Sequence, residues 1–201
     1  MSSALLVSAF PTITPFARKL VTIAEQQHTT YHAIDERDPQ LARQIERYWV
    51  DLGAKFPGVG AAWSAVFISW CVKQAGATAA EFHFSARHST FVYHAIQNAR
   101  NQTGLFRGLP IAQYPPQVGD IIQNNRGTAK YTYAFAAKNA QYASHSAIVV
   151  ERGADANGDY VRTIGGNESD SIREKIVRLT PTGLIRQREK GPFICVVQNL
   201  K

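Results

Sequence analysis

Hydrophobic positions along the chain change period near residue 117, from helical spacing to short continuous or alternating runs. Thr14-Pro15 opens the first periodic segment, where Phe16, Leu20, Val21, Ile23 and Ala24 recur at three- and four-residue intervals and predict a helix to His28 or beyond. A second helix is expected after Asp35, with Leu41, Ile45, Tyr48 and Trp49 as its apolar stripe, ending by Gly53. Ala61 to Val72 is apolar on every side, which predicts a helix in the middle of a domain, bounded by the breakers Pro57-Gly58-Val59-Gly60 and by Gly76. After a loop from Phe82 to Ser89, Thr90 to about Asn101 predicts a fourth helix carrying Phe91, Val92, Ala95 and Ile96. Strands are expected at Val118–Ile122, with Asp120 as a turn residue, and at Ser144–Glu151, Tyr160–Ile164, Ile172–Leu179 and Phe193–Val197. Between them, Tyr131, Tyr133 and Phe135 alternate in a polar segment expected to be a hairpin arm or a cleft-lining loop. Helices first and consecutive short strands afterwards describe an α+β domain with an antiparallel sheet.

Composition narrows the class. With 201 residues, 45% of them hydrophobic and 18% charged, the chain is long and apolar enough for one soluble domain, or one domain with a helical extension. Its longest apolar run is too short to span a bilayer. Met1 to Pro11 contains a short apolar segment without a basic leader, a poor secretory signal, so action outside the cytoplasm would require export without a cleavable signal peptide. The net charge of +7 favours an anionic partner, but Lys and Arg are scattered, with no basic block and no interleaved aromatic strip. Nucleic acid is therefore not expected, which leaves attraction to an acidic surface or ordinary solubility. Cys71 and Cys195 each lie in an apolar run, as buried free thiols or as one disulfide; two cysteines make neither a framework nor a zinc site. His28 and His32 have i, i+4 spacing without a third ligand and read as a solvated helix face, so neither metal nor cofactor is expected.

Candidate chemistry centres on Ser64, a small hydroxyl in the first turn of the all-apolar helix, close to free backbone N–H groups and the positive end of the helix dipole. The run Trp63-Ser64-Ala65-Val66-Phe67-Ile68-Ser69-Trp70 resembles the opening of the central helix in the NlpC/P60 and CHAP papain-like hydrolases, with serine at the usual cysteine position. It is closer still to an uncharacterised bacterial family that carries Trp-Ser-Ala before Phe-Ile-Ser-Trp. Val118-Gly119-Asp120 resembles the Pro-Gly-Asp turn of the same sheet, with Val118 departing from proline. The resemblance covers roughly residues 57–200. It implies a papain-like α+β domain over 57–201, its central helix packed on an antiparallel β-sheet, behind a helical lead-in over 1–56.

The same resemblance implies a site. Ser64, His145 and Asn167 fall in order on the nucleophile, base and orienting positions, and His145-Ser-Ala-Ile-Val-Val-Glu followed by Ile164-Gly-Gly-Asn167 fits one hairpin. Histidine can take the hydroxyl proton and return it to a leaving amine, and an amide can hold the ring in one tautomer. His88 is either a pocket wall or a helix-start residue bonding nearby backbone, and Trp63 and Tyr133 are the aromatic candidates for substrate contact. Each residue also has a structural reading: Ser64 bonding back to a carbonyl, His145 at a strand end, Asn167 in a turn. The function implied is hydrolysis of an amide in peptidoglycan, as an amidase or endopeptidase, in the periplasm or cell wall, with peptidoglycan or another anionic cell-wall polymer as the partner. Delivery by a secretion apparatus as an antibacterial effector, with an immunity protein as partner, extends that expectation; otherwise the protein is cytoplasmic. The alternatives are a non-catalytic cell-wall binding module on the same fold and a serine esterase or acyltransferase.

Overall fold

The computed structural model describes residues 13–201; the apolar segment before Pro11 lies outside the described residues. Four helices precede the sheet: α1 (Pro15–Tyr31), α2 (Pro39–Asp51), α3 (Ser64–Ala75) and α4 (His88–Arg100). Thr14 caps α1 by accepting from the Ala17 N–H at 3.1 Å, and Pro15 follows at the first turn, where its missing N–H costs nothing. Asp38 and Pro39 repeat the device at α2. Gly76 ends α3 in the left-handed conformation, at φ 111°.

Six strands form one antiparallel sheet: β1 (Phe106–Pro110), β2 (Ile121–Asn125), β3 (Ser144–Asp155), β4 (Gly158–Glu168), β5 (Ser171–Arg178) and β6 (Phe193–Asn199), in the order β1-β6-β2-β3-β4-β5. Alternation along the strands splits the apolar residues between two faces. Ile121, Ile148, Val150, Ile164, Cys195 and Val197 face the helices, in a core that also holds Leu20, Ile45, Tyr48, Phe67 and Ile96. Ile122, Val149, Val161, Val177, Val196 and Phe193 face the other way, where Leu179 and Ile185 cover them. The fold is therefore α+β with an antiparallel sheet, and α1 and α2 share the principal core.

Two expectations are corrected. Phe106–Pro110, read over in the sequence, is the edge strand β1; its terminal proline is tolerated because an edge leaves one row of N–H groups unpaired. The Tyr-rich alternation is not a hairpin arm: Thr132 caps a short helix, α5 (Tyr133–Ala136), by accepting from the Phe135 N–H. Cys71 and Cys195 are both buried and free. No helix among the described residues is long and apolar enough to cross a membrane.

Candidate functional site

The amino end of α3 is built around two glycines. Gly165-Gly166 in β4 lets the strand approach closely: a Cβ at 166 would lie 2.7 Å from the Phe67 side chain and the Trp63 ring, and one at 165 would lie on Glu168 Oε1 and 3.0 Å from His145 Nε2. Beyond them the strand breaks register between Gly165 and Glu168. Asn167, Ser169 and Asp170 all take positive φ, 54°, 52° and 57°, a conformation that costs a residue with a Cβ about 1 kcal/mol or more. What holds this hairpin turn is the lead-in. Glu36 N–H donates to the Asp170 carbonyl at 2.8 Å, Ser171 Oγ lies 2.6 Å from the Ile34 carbonyl, and Arg173 donates to the His32 carbonyl at 2.6 Å.

Ser64 is the first residue of α3, and its Oγ lies 2.7 Å from Nε2 of His88, the first residue of α4. Both are nearly enclosed, with 4% and 5% of their surface exposed. Burial, then the neighbouring His145 and Arg126, push the His88 pKa well down, so its ring is neutral at pH 7. Its Nδ1 has no hydrogen-bond partner among the described residues. The His145 ring stands edge-on to that of His88, centroids 5.2 Å apart. His145 Nε2–H donates to Glu168 Oε1 at 2.8 Å, and the Lys175 ammonium pairs with Oε2. Burial alone would raise the Glu168 pKa; the hydrogen bond and charge of His145, with Lys175, outweigh it and bring it below its ordinary value.

The expected set is thus redrawn. Ser64, His88 and His145 converge, but the hydroxyl bonds His88 rather than His145. Asn167 does not orient His145. Its amide lies 3.2 Å from the backbone N and indole Nε1 of Trp63 and, with the oxygen turned inward, accepts from both. The left-handed turn at Asn167 offsets the alternation by one, so Glu168 occupies the place behind the ring. Trp63 is not a substrate contact: it is fully buried, and its indole donates to Glu36 at 2.8 Å. Tyr133 is also displaced; its hydroxyl donates to the Gly108 carbonyl and its side chain borders a different depression, with Pro110 and Ile194. Sequence reasoning passes over Glu168, although an acid at the end of a strand behind Gly-Gly, opposite the lysine-bearing β5, was the available signal.

His145, Asn167 and Glu168 line a cleft of about 240 Å³ whose other charged walls are Arg126, Lys175 and Arg188. Among the described residues no group of three or more His, Cys, Asp or Glu could hold a metal ion. His28 and His32 simply stack on the surface of α1. Chemically, the site offers a hydroxyl against a neutral imidazole, a carboxylate-fixed second imidazole, and the free N–H groups of the first turn of α3.

No curated protein and no solved structure matches the chain. One bacterial family, described as "Uncharacterized protein conserved in bacteria" (DUF2272), matches residues 25–195, from within α1 to the middle of β6. That span includes every residue of the site, and the chain belongs to this family.

Proposed function

We propose that the protein is a serine-dependent amide hydrolase of peptidoglycan on a papain-like plan, with Ser64 as nucleophile. The observation that carries this reading is the 2.7 Å contact between Ser64 Oγ and a neutral His88 at the amino end of the buried helix, with the His145–Glu168 pair beside it. Ser64 Oγ attacks the amide carbonyl while its proton passes to His88 Nε2, and the same nitrogen gives that proton to the departing amine. Water then attacks the acyl-serine ester in the reverse sense, losing a proton to His88, which returns it to Ser64. Backbone N–H groups of the first α3 turn are placed to stabilise the oxyanion. Burial and the neighbouring His145 and Arg126 disfavour a charge on His88, so the proton it accepts is readily passed on to the leaving amine.

One observation favours a second reading. Ser64 is almost wholly enclosed and is not among the cleft-lining residues, as suits a structural hydroxyl in a non-catalytic cell-wall binding module. Incubation of purified sacculi with the protein, followed by muropeptide analysis, separates the two. The hydrolase releases new fragments, and Ser64→Ala and His88→Asn abolish their release. The binding module sediments with sacculi, releases nothing, and keeps its binding after Ser64→Ala. Labelling by a fluorophosphonate probe that requires His88, with no fragment release, would point instead to a serine esterase.

A further inference from the structure

Three cations face the cleft, and one of them, Lys175, is engaged by Glu168. Arg126 and Arg188 have no carboxylate partner among the described residues, whereas Arg162 meets Glu25, Glu151 and Glu174, and Arg178 meets Asp155. The two unpaired arginines stand on loops of one construction. Asn125, directly before Arg126, closes its loop by accepting from the Tyr131 N–H at 2.7 Å and donating to the Tyr131 carbonyl at 2.9 Å. Gln187, directly before Arg188, does the same to Phe193, again at 2.7 and 2.9 Å. Each amide side chain imitates a strand partner for a residue six positions on, so each loop is a closed ring with an arginine as its first free residue.

The rings are joined. Both the backbone N–H and the side-chain amide of Asn125 donate to the Pro192 carbonyl at 2.9 Å, and Gly191, where a Cβ would sit 3.2 Å from the Asn125 carbonyl, lets them touch. Arg188 is held further: its Nε donates to the Gly191 carbonyl at 3.0 Å and its guanidinium lies 4.3 Å from the centre of the Phe193 ring. This leaves its terminal nitrogens for a ligand. Two guanidinium groups at one cleft, that of Arg188 held in place, repel each other, and an anion between them removes that repulsion; the planar fork suits a carboxylate.

We infer that Arg126 and Arg188 form a carboxylate-binding subsite beside His145, which takes an acidic residue of an extended peptide. The cleft volume suits one such residue rather than a whole glycan strand. That the acidic residue belongs to a substrate rests on the hydrolase reading; the subsite itself is tested by binding. The probe is the synthetic tripeptide L-alanyl-γ-D-glutamyl-L-lysine, with its carboxyls free or amidated, titrated calorimetrically into the full chain, wild-type and Ser64→Ala. The free acid is expected to bind, Arg126→Gln and Arg188→Gln each to weaken it about tenfold, as loss of one charge-assisted pair does, and added salt to weaken it further. The amidated peptide is expected to bind wild-type protein no better than the free acid binds the variants. Equal affinity for acid and amide, undiminished binding by the double variant, or tighter binding of inorganic phosphate than of the peptide would overturn the inference. Sacculus digestion run in parallel keeps the two ideas apart. Carboxylate-dependent binding without fragment release removes the hydrolase and keeps the subsite; fragment release untouched by both arginine substitutions removes the subsite and keeps the hydrolase.

Discussion

Replacing Glu168 by Gln keeps the shape behind His145 and removes only the charge. Glu168 is 7% exposed and accepts from His145 at 2.8 Å, so the variant exchanges a hydrogen bond to a charged acceptor for one to a neutral amide. Bonds of the first kind contribute about 1.5–3 kcal/mol and of the second about 0.5–1.5, a difference of about 1 kcal/mol. The Lys175 pair adds little, because that side chain is 59% exposed and screened. Relief of carboxylate burial works the other way, but the lowered pKa of Glu168 means that the native surroundings favour the charged form more than water does. A net loss of about 1 kcal/mol at pH 7 is expected, measured by urea unfolding with tryptophan fluorescence. The sign of its pH dependence follows. A carboxyl whose native pKa is depressed stabilises the fold above its ordinary value of 4.5, and that contribution fades as pH falls through the lower native value. The gap between wild type and Glu168→Gln should therefore shrink on acidification from pH 7 to below 4.5. A variant more stable than wild type at pH 7, or a gap that is unchanged in acid, refutes the reasoning.

Three further expectations follow from the same geometry. Ser64→Ala removes the hydroxyl that partners the buried His88 Nε2 and should cost about 1–3 kcal/mol in denaturant unfolding, besides abolishing fragment release; an unchanged midpoint would mean that water or the backbone replaces the hydroxyl. Gly166→Ala drives a methyl group to 2.7 Å from Phe67 and Trp63, both fully enclosed, and should lower stability by about 1–3 kcal/mol; a thermal midpoint equal to wild type would refute so tight a packing. Burial pushes the Asp120 carboxyl up to about 7, against the two backbone N–H groups, of Gln117 and Asn199, that it accepts from. A raised native pKa means that the folded chain holds this proton longer than the unfolded one, so Asp120 alone makes stability fall between about pH 4 and 7; a carboxyl NMR titration with its midpoint near 3.8 would contradict this.

Signals that act between chain neighbours are legible in the sequence. Thr14-Pro15 and Gly76 fix helix ends through caps that involve only their own neighbours, and the all-apolar run from Ala61 forms the buried α3. Phe106-Arg-Gly-Leu-Pro carries no strand pattern of its own; its strand character comes from pairing with β6, nearly ninety positions away. The glycine there is required by packing, since a Cβ at 108 would meet the Ile96 backbone N at 2.8 Å. At the site, chain order placed Ser64 and His145 but not the contact between two helix starts, which depends on how α3 and α4 cross. The resemblance points to Asn167 as the orienting residue, but left-handed residues at 167, 169 and 170 and the register break between Gly165 and Glu168 turn Glu168, not Asn167, toward His145.

The tethering of the β4–β5 turn to residues 31–36 changes how the protein should be trimmed for study. A fragment starting at residue 57 would retain the hydroxyl and both imidazoles, yet lose Glu36 under the Trp63 indole and every carbonyl that restrains Ser171 and Arg173. Its weakest point would be the stretch from 167 to 170, free to relax toward ordinary backbone angles and to carry the Glu168 carboxylate away from His145. In engineering terms the first two helices are the anvil on which the reactive corner is shaped, and excising them would yield an intact parts list without the tool.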